Sequence, residues 1–124
     1  MLLRGLQNPS MLAPTLRRLG YVELHEGEFE KAAAFFNESL ESNLQLNHKH
    51  GTAASLAGFA AIHLAKRSFD QAAALYGFVE NQIGQAGNPL LFTDTVEYER
   101  SIAQLQEALS EKTLAAARSK GGVL

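Results

Sequence analysis

The chain has 124 residues, of which 46% are hydrophobic and 19% charged, a balance that fits one globular domain and excludes a disordered segment. A formal net charge of −2, with no basic run longer than Arg17-Arg18 or Lys66-Arg67, argues against nucleic-acid binding, which needs a concentrated Lys/Arg surface. The absence of cysteine excludes disulfides, thiolate zinc sites and cysteine nucleophiles together.

Residues 1–6 read as the tail of a preceding helix, so the chain looks cut from a longer array, and Gln7-Asn8-Pro9 marks a break. Leu12, Leu16, Leu19, Tyr21, Val22 and Leu24 then form a stripe of helical period that ends near Gly27, a residue suited to a left-handed turn. A second helix is expected over about residues 29–46, with Ala32, Ala33, Phe35, Phe36 and Leu40 on its buried side. His48-Lys49-His50 reads as a polar loop. The next two helices fall at about 52–66 and 69–85, joined by Arg67-Ser68, with Ser68 as N-cap of the second. After the break at Gly87-Asn88-Pro89, Thr93 or Asp94 is placed to cap a helix over about 95–109. Ser110-Glu111-Lys112 makes a short turn, and a last helix over about 113–120 ends at Gly121-Gly122. No apolar run approaches the roughly 18 residues of a membrane span, and Met1-Leu2-Leu3-Arg4 is too short for a signal core. A cytoplasmic protein without membrane association is expected.

One block occurs twice. Phe29-Glu30-Lys31-Ala32-Ala33-Ala34-Phe35-Phe36 returns, 40 residues on, as Phe69-Asp70-Gln71-Ala72-Ala73-Ala74-Leu75-Tyr76. The same offset relates Leu16 to Leu56, Leu19 to Phe59 and Leu24 to Leu64. A repeat of this length implies stacked helical hairpins, each burying its apolar face only against its neighbours. The expected fold is therefore all-α, a single domain over 1–124. Its antiparallel hairpins, about 2.5–3 of them, lie at about 10–47, 51–87 and 93–121.

Leu16-x-x-Leu19-Gly20, then Gly27, then Ala32-x-x-x-Phe36, resembles the tetratricopeptide repeat (TPR) pattern, and Leu56-x-x-Phe59-Ala60, Arg67 and Ala72-x-x-x-Tyr76 form a weaker second copy. The resemblance implies a right-handed superhelix in which small residues (Gly20, Ala32, Ala60, Ala72) let helices approach and large ones (Phe36, Tyr76) fill the space between hairpins. Two features depart from the pattern. Glu23 and His63 hold the usual aromatic slot, and the period is 40 rather than 34, which implies longer second helices or inter-hairpin loops. This longer form is similar to the repeat regions of bacterial signal-transduction ATPases and LuxR-type transcriptional regulators. There the repeats sense a ligand or partner protein.

No catalytic constellation is present. There is no G-x-x-x-x-G-K-[ST] run, and the glycines follow no strand, which argues against nucleotide sites. His25, His48, His50 and His63 lack the three or four convergent ligands of a zinc site, so no metal or cofactor is expected. Glu23 and His63 stand at equivalent repeat positions, where they could pair across hairpins. The carboxylates of Asp94, Glu97 and Glu99 read as acidic residues favoured at a helix N-terminus.

The expected functional surface is a groove lined by the first helix of each hairpin, because residues four apart share a helix face. The first hairpin would present Arg17, Tyr21 and His25, the second Ala57, Ala61 and Ala65, and the third Arg100, Gln104 and Glu107. Arg17 and Tyr21 are the expected anchors, as Arg and Tyr are enriched at binding hot spots. The basic clamp of chaperone-binding TPR domains has no clear match. These features imply a non-enzymatic module for a protein or peptide partner. The alternatives are a small-molecule sensor with a pocket between hairpins, and a self-assembly element acting through the apolar ends at 1–6 and Val123-Leu124.

Overall fold

The computed structural model describes residues 9–86 and 92–122, and all their regular structure is helical. The helices are α1 (Pro9–His25), α2 (Phe29–Gln45), α3 (Lys49–Ala65), α4 (Phe69–Ala86), α5 (Phe92–Ala108) and α6 (Glu111–Gly122). The breaks at 7–8 and 87–89 and both apolar ends lie outside the described residues. Within them, no helix is long and apolar enough to cross a membrane.

The 40-residue period divides into two nearly equal halves. α1, α2 and α3 are 17 residues each and α4 is 18, so the extra length over a 34-residue repeat goes into both helices of a hairpin. The turn between hairpins is as tight as the turns within them. His48-Lys49-His50 is accordingly no loop: α3 starts at Lys49, with His48 just before it in extended geometry.

One hydrogen-bonding pattern closes the three turns that link α1 through α4. Gly27, Asn47 and Arg67 adopt left-handed conformations, with φ of 80°, 56° and 66°. The following residue donates back to the carbonyl five positions earlier: Glu28 to Glu23 at 2.9 Å, His48 to Asn43 at 2.9 Å and Ser68 to His63 at 2.8 Å. The left-handed residue itself bonds three back, Gly27 to Leu24, Asn47 to Leu44 and Arg67 to Leu64. These two bonds satisfy carbonyls that a helix C-terminus would otherwise leave without a donor.

Helices α1 with α2 and α3 with α4 pack as hairpins, and α2 lies against α3 to stack one on the other. Phe36 is the pivot of that stack. Its buried ring meets Tyr21 edge-on at 5.0 Å between centroids and Phe59 at 6.1 Å. A Cβ on Gly20 would come within 2.7 Å of the ring and one on Gly58 within 2.3 Å, so the two glycines make its slot. Tyr76, the repeat equivalent, is likewise buried and meets Tyr98 edge-on at 5.7 Å. Ala32, Ala60 and Ala72 are fully buried, as close helix approach requires.

Next to Phe36 the interface turns polar. Buried Ser39 donates to the Ala13 carbonyl at 3.1 Å and shares a 2.8 Å hydrogen bond with Ser55, while Asn43 donates to the Ser39 carbonyl at 2.9 Å. Gly51 lets Asn43 approach, since a Cβ there would lie 2.1 Å from the amide oxygen.

The third pair of helices departs from the first two. α5 starts at Phe92, so Thr93 and Asp94 fall inside its first turn rather than before it. α6 starts at Glu111, and its N-cap is Ser110, whose hydroxyl accepts from the Thr113 amide at 3.2 Å. α6 lies mainly along α4 and touches α5 only lightly. Leu105 of α5 and Leu114 and Ala117 of α6 nevertheless join one core with Ala57, Leu64, Ala73, Tyr76 and Val79.

Candidate functional site

The C-terminal turn of α1, the C-terminal turn of α3 and the middle of α5 face one another across a cleft of about 290 Å³. Its walls carry His25, Glu97, Arg100 and Gln104, and Leu24, Ala61, Leu64 and Ala65 contribute apolar surface. A second depression of about 460 Å³ shares Leu64, Ala65 and Gln104 with the first and extends to Arg67, Phe69 and Glu107. Three elements from three successive units thus meet in one place.

Small side chains on α3 make that meeting close. Ala57 and Ala61 are buried, Ala57 in the core shared with α4, α5 and α6, and Ala61 against Tyr21, Leu24 and Phe36. α1 and α5 can therefore reach over α3. His25 Nε2 lies 2.9 and 3.1 Å from the two carboxylate oxygens of Glu97, and an Arg100 nitrogen lies 4.0 Å from Glu97. His25 is half exposed while Glu97 is largely covered, so the pair closes one end of the cleft at its rim. This pair links α1 to α5, whereas no hydrogen bond or ion pair links Glu23 with His63 among the described residues. Glu97 is more than an acidic residue near a helix start.

Of the nine expected groove residues, His25, Ala61, Ala65, Arg100 and Gln104 line the first cleft, and Glu107 lines its extension. Ala57 lies beneath the surface. Arg17 and Tyr21 are placed differently from the expectation: they are 3% and 4% exposed and belong to the packing of the first hairpin. Tyr21 holds Phe36, so truncating it would act on stability. Both also make polar or ring contacts that keep them engaged within the chain.

The residue missed by sequence reasoning is Glu97, and the signal was available. Extending the 40-residue offset from Ala57, Ala61 and Ala65 leads to Glu97, Ser101 and Leu105, not to Arg100, Gln104 and Glu107. Glu97 and Ser101 line the cleft, and Leu105 turns into the core. Ser101 is buried and hydrogen-bonds Tyr76, whose phenol is held protonated well above its ordinary pKa, chiefly by burial. The base of the cleft is thus tied to the aromatic plug between units. Among the described residues no three His, Asp or Glu side chains converge as a metal set.

A family model for the tetratricopeptide repeat matches residues 11–77, more than half the chain, and covers α1–α3 and half of α4. The chain belongs to the tetratricopeptide repeat family. Neither the curated proteins nor the solved structures yield a significant match. TPR repeats commonly mediate protein–protein interaction and are generally non-enzymatic. In this TPR chain the cleft straddles the limit of the match, since α1 and α3 lie inside it and α5 beyond. The shape of the cleft therefore depends on how α5 is docked.

Proposed function

We propose that this chain is a non-enzymatic recognition module that takes a protein or peptide segment in the cleft between α1, α3 and α5. The observation that carries the reading is the convergence of His25, Ala65, Arg100 and Gln104, from three successive units, on one accessible depression. Ala65 gives a close approach for a backbone, while Arg100 and Gln104 supply hydrogen-bond donors at its edge. A mixed wall of His25, Glu97 and Arg100 suits a polar segment better than a strongly charged one of either sign. The 40-residue repeat supports a finer reading, in which the module is the cytoplasmic sensory region of a bacterial signalling or transcriptional regulator. In that setting a change in the stacking of its units would transmit the signal.

The test is partner capture with Ala65→Trp, which fills the cleft, and Arg100→Glu, which reverses its edge. Both sites are exposed, so the thermal melt is expected to move little. A partner recovered by the wild-type chain should be lost by both variants. Equal recovery by all three proteins would overturn the cleft as the recognition surface. The finer reading is tested by the reading frame around the chain: an adjoining P-loop ATPase or helix-turn-helix supports it, and unrelated neighbours on both sides would sink it.

A further inference from the structure

We infer that α6 is an exchangeable arm, and that its partner is α4 of a second copy of this chain. The inference is independent of what the cleft binds. It starts from the way α6 is held: α5 and α6 are joined by Leu109 and Ser110 alone, yet α6 lies along α4 and touches α5 only lightly. The two helices splay from that corner. A cavity of about 470 Å³ opens between them, lined by Gln106 of α5, Leu109 of the link and Glu111, Leu114 and Ala115 of α6. Swinging α6 away from α5 therefore sacrifices little α5–α6 packing.

What α6 loses on opening is its seat on α4, where Leu114 and Ala117 enter the core. A second copy offers an identical seat. Exchange restores each buried contact, so the free-energy difference between closed monomer and exchanged dimer reduces to the hinges and the entropy of association. The hinge chemistry permits the open form. Ala108-Leu109-Ser110-Glu111 contains neither glycine nor proline, and α5 and α6 can join as one continuous helix. What holds the corner bent is the Ser110 cap: its hydroxyl accepts from the Thr113 amide at 3.2 Å and donates to the Thr113 hydroxyl at 2.8 Å.

Two substitutions push the hinge in opposite directions. Ser110→Ala removes the cap and favours a continuous helix. A cap is worth about a fivefold factor and a dimer opens two, so its dimerisation constant should rise about twenty-five-fold. Glu111→Pro places proline at the first position of α6, where the closed form accepts it and a continuous helix does not. Mass is read by light scattering across a concentration series up to about 1 mM. The expected result is a concentration-dependent dimer for the wild type, a stronger one for Ser110→Ala, and a monomer of unchanged helix content for Glu111→Pro. Monomers throughout for both the wild type and Ser110→Ala would overturn the proposal. So would a dimer of equal strength in all three, which would mark a surface contact that leaves α6 in place. If Glu111→Pro loses helix content, the ratio of Ser110→Ala to wild type decides alone: no increase refutes exchange.

Discussion

Phe36 shows how a stack of helices can rest on residues with no side chain. The ring fills the space between the first hairpin and α3 because Gly20 and Gly58 leave it open on both sides. A methyl group on Gly58 would have to displace a ring that is fully buried and held by Tyr21 and Phe59. Gly58→Ala should therefore lower stability by about 1–3 kcal/mol in denaturant unfolding, the usual cost of overpacking. Phe36→Leu in the same chain should recover part of the loss, as expected when two sites share one volume. An unchanged midpoint for Gly58→Ala would mean that the slot is not tight. At the repeat-equivalent position the same problem is solved differently. Tyr98 stands where Gly58 stands in the unit before and meets Tyr76 edge to face, with its hydroxyl donated to Glu80. The glycine pair was not legible as a pair, because only the crossing of α1, α2 and α3 brings Gly20 and Gly58 to the same ring.

At the scale of the element, helix ends decide the architecture. Gly27, Asn47 and Arg67 recur every 20 residues in one left-handed turn geometry, and only the first is glycine. Asn tolerates that conformation through its short polar side chain, whereas at Arg67 the turn carries a Cβ clash. Arg67 offsets part of that cost by laying its guanidinium 5.3 Å from the centroid of the Phe69 ring. Gly27 isolates the conformational part, since a Cβ there meets nothing within 4 Å. Gly27→Ala should thus cost about 1 kcal/mol from backbone strain alone, read as a lower thermal midpoint with unchanged helix content. No loss would show that this turn relaxes out of the left-handed region. The helices themselves were readable from apolar period: α2 and α4 start where expected, and α2, α3, α4 and α5 each end within a residue of expectation. The inter-hairpin turn was not, because His48-Lys49-His50 is polar in sequence whether it forms a loop or opens a helix.

Across the whole molecule, the contact that joins distant units is His25 with Glu97, 72 residues apart. Its exposure limits its worth to about 0.2–1 kcal/mol, and salt should screen it wherever the imidazole carries its second proton. A double-mutant cycle of His25→Ala and Glu97→Gln should give a coupling in that range at low salt, fading toward zero near 1 M. Zero coupling at low salt would show that the two side chains do not pair in solution. The pair was hidden from sequence reasoning for a topological reason: a side-chain contact across three units depends on how far α1 and α5 lean over α3. Most of the groove face was legible from its spacing, yet Arg17 and Tyr21 share that face and are buried by the helices packed on them. The helices, the 40-residue repeat and membership of the repeat family can be read along the chain alone, because apolar period and small-residue spacing are local properties. Tertiary packing settled which groove residues meet in the cleft, that Glu97 pairs there with His25, and that α6 rests on α4 rather than α5. Those outcomes depend on crossing distances and on competition for one buried surface, which no single helix carries in its own residues.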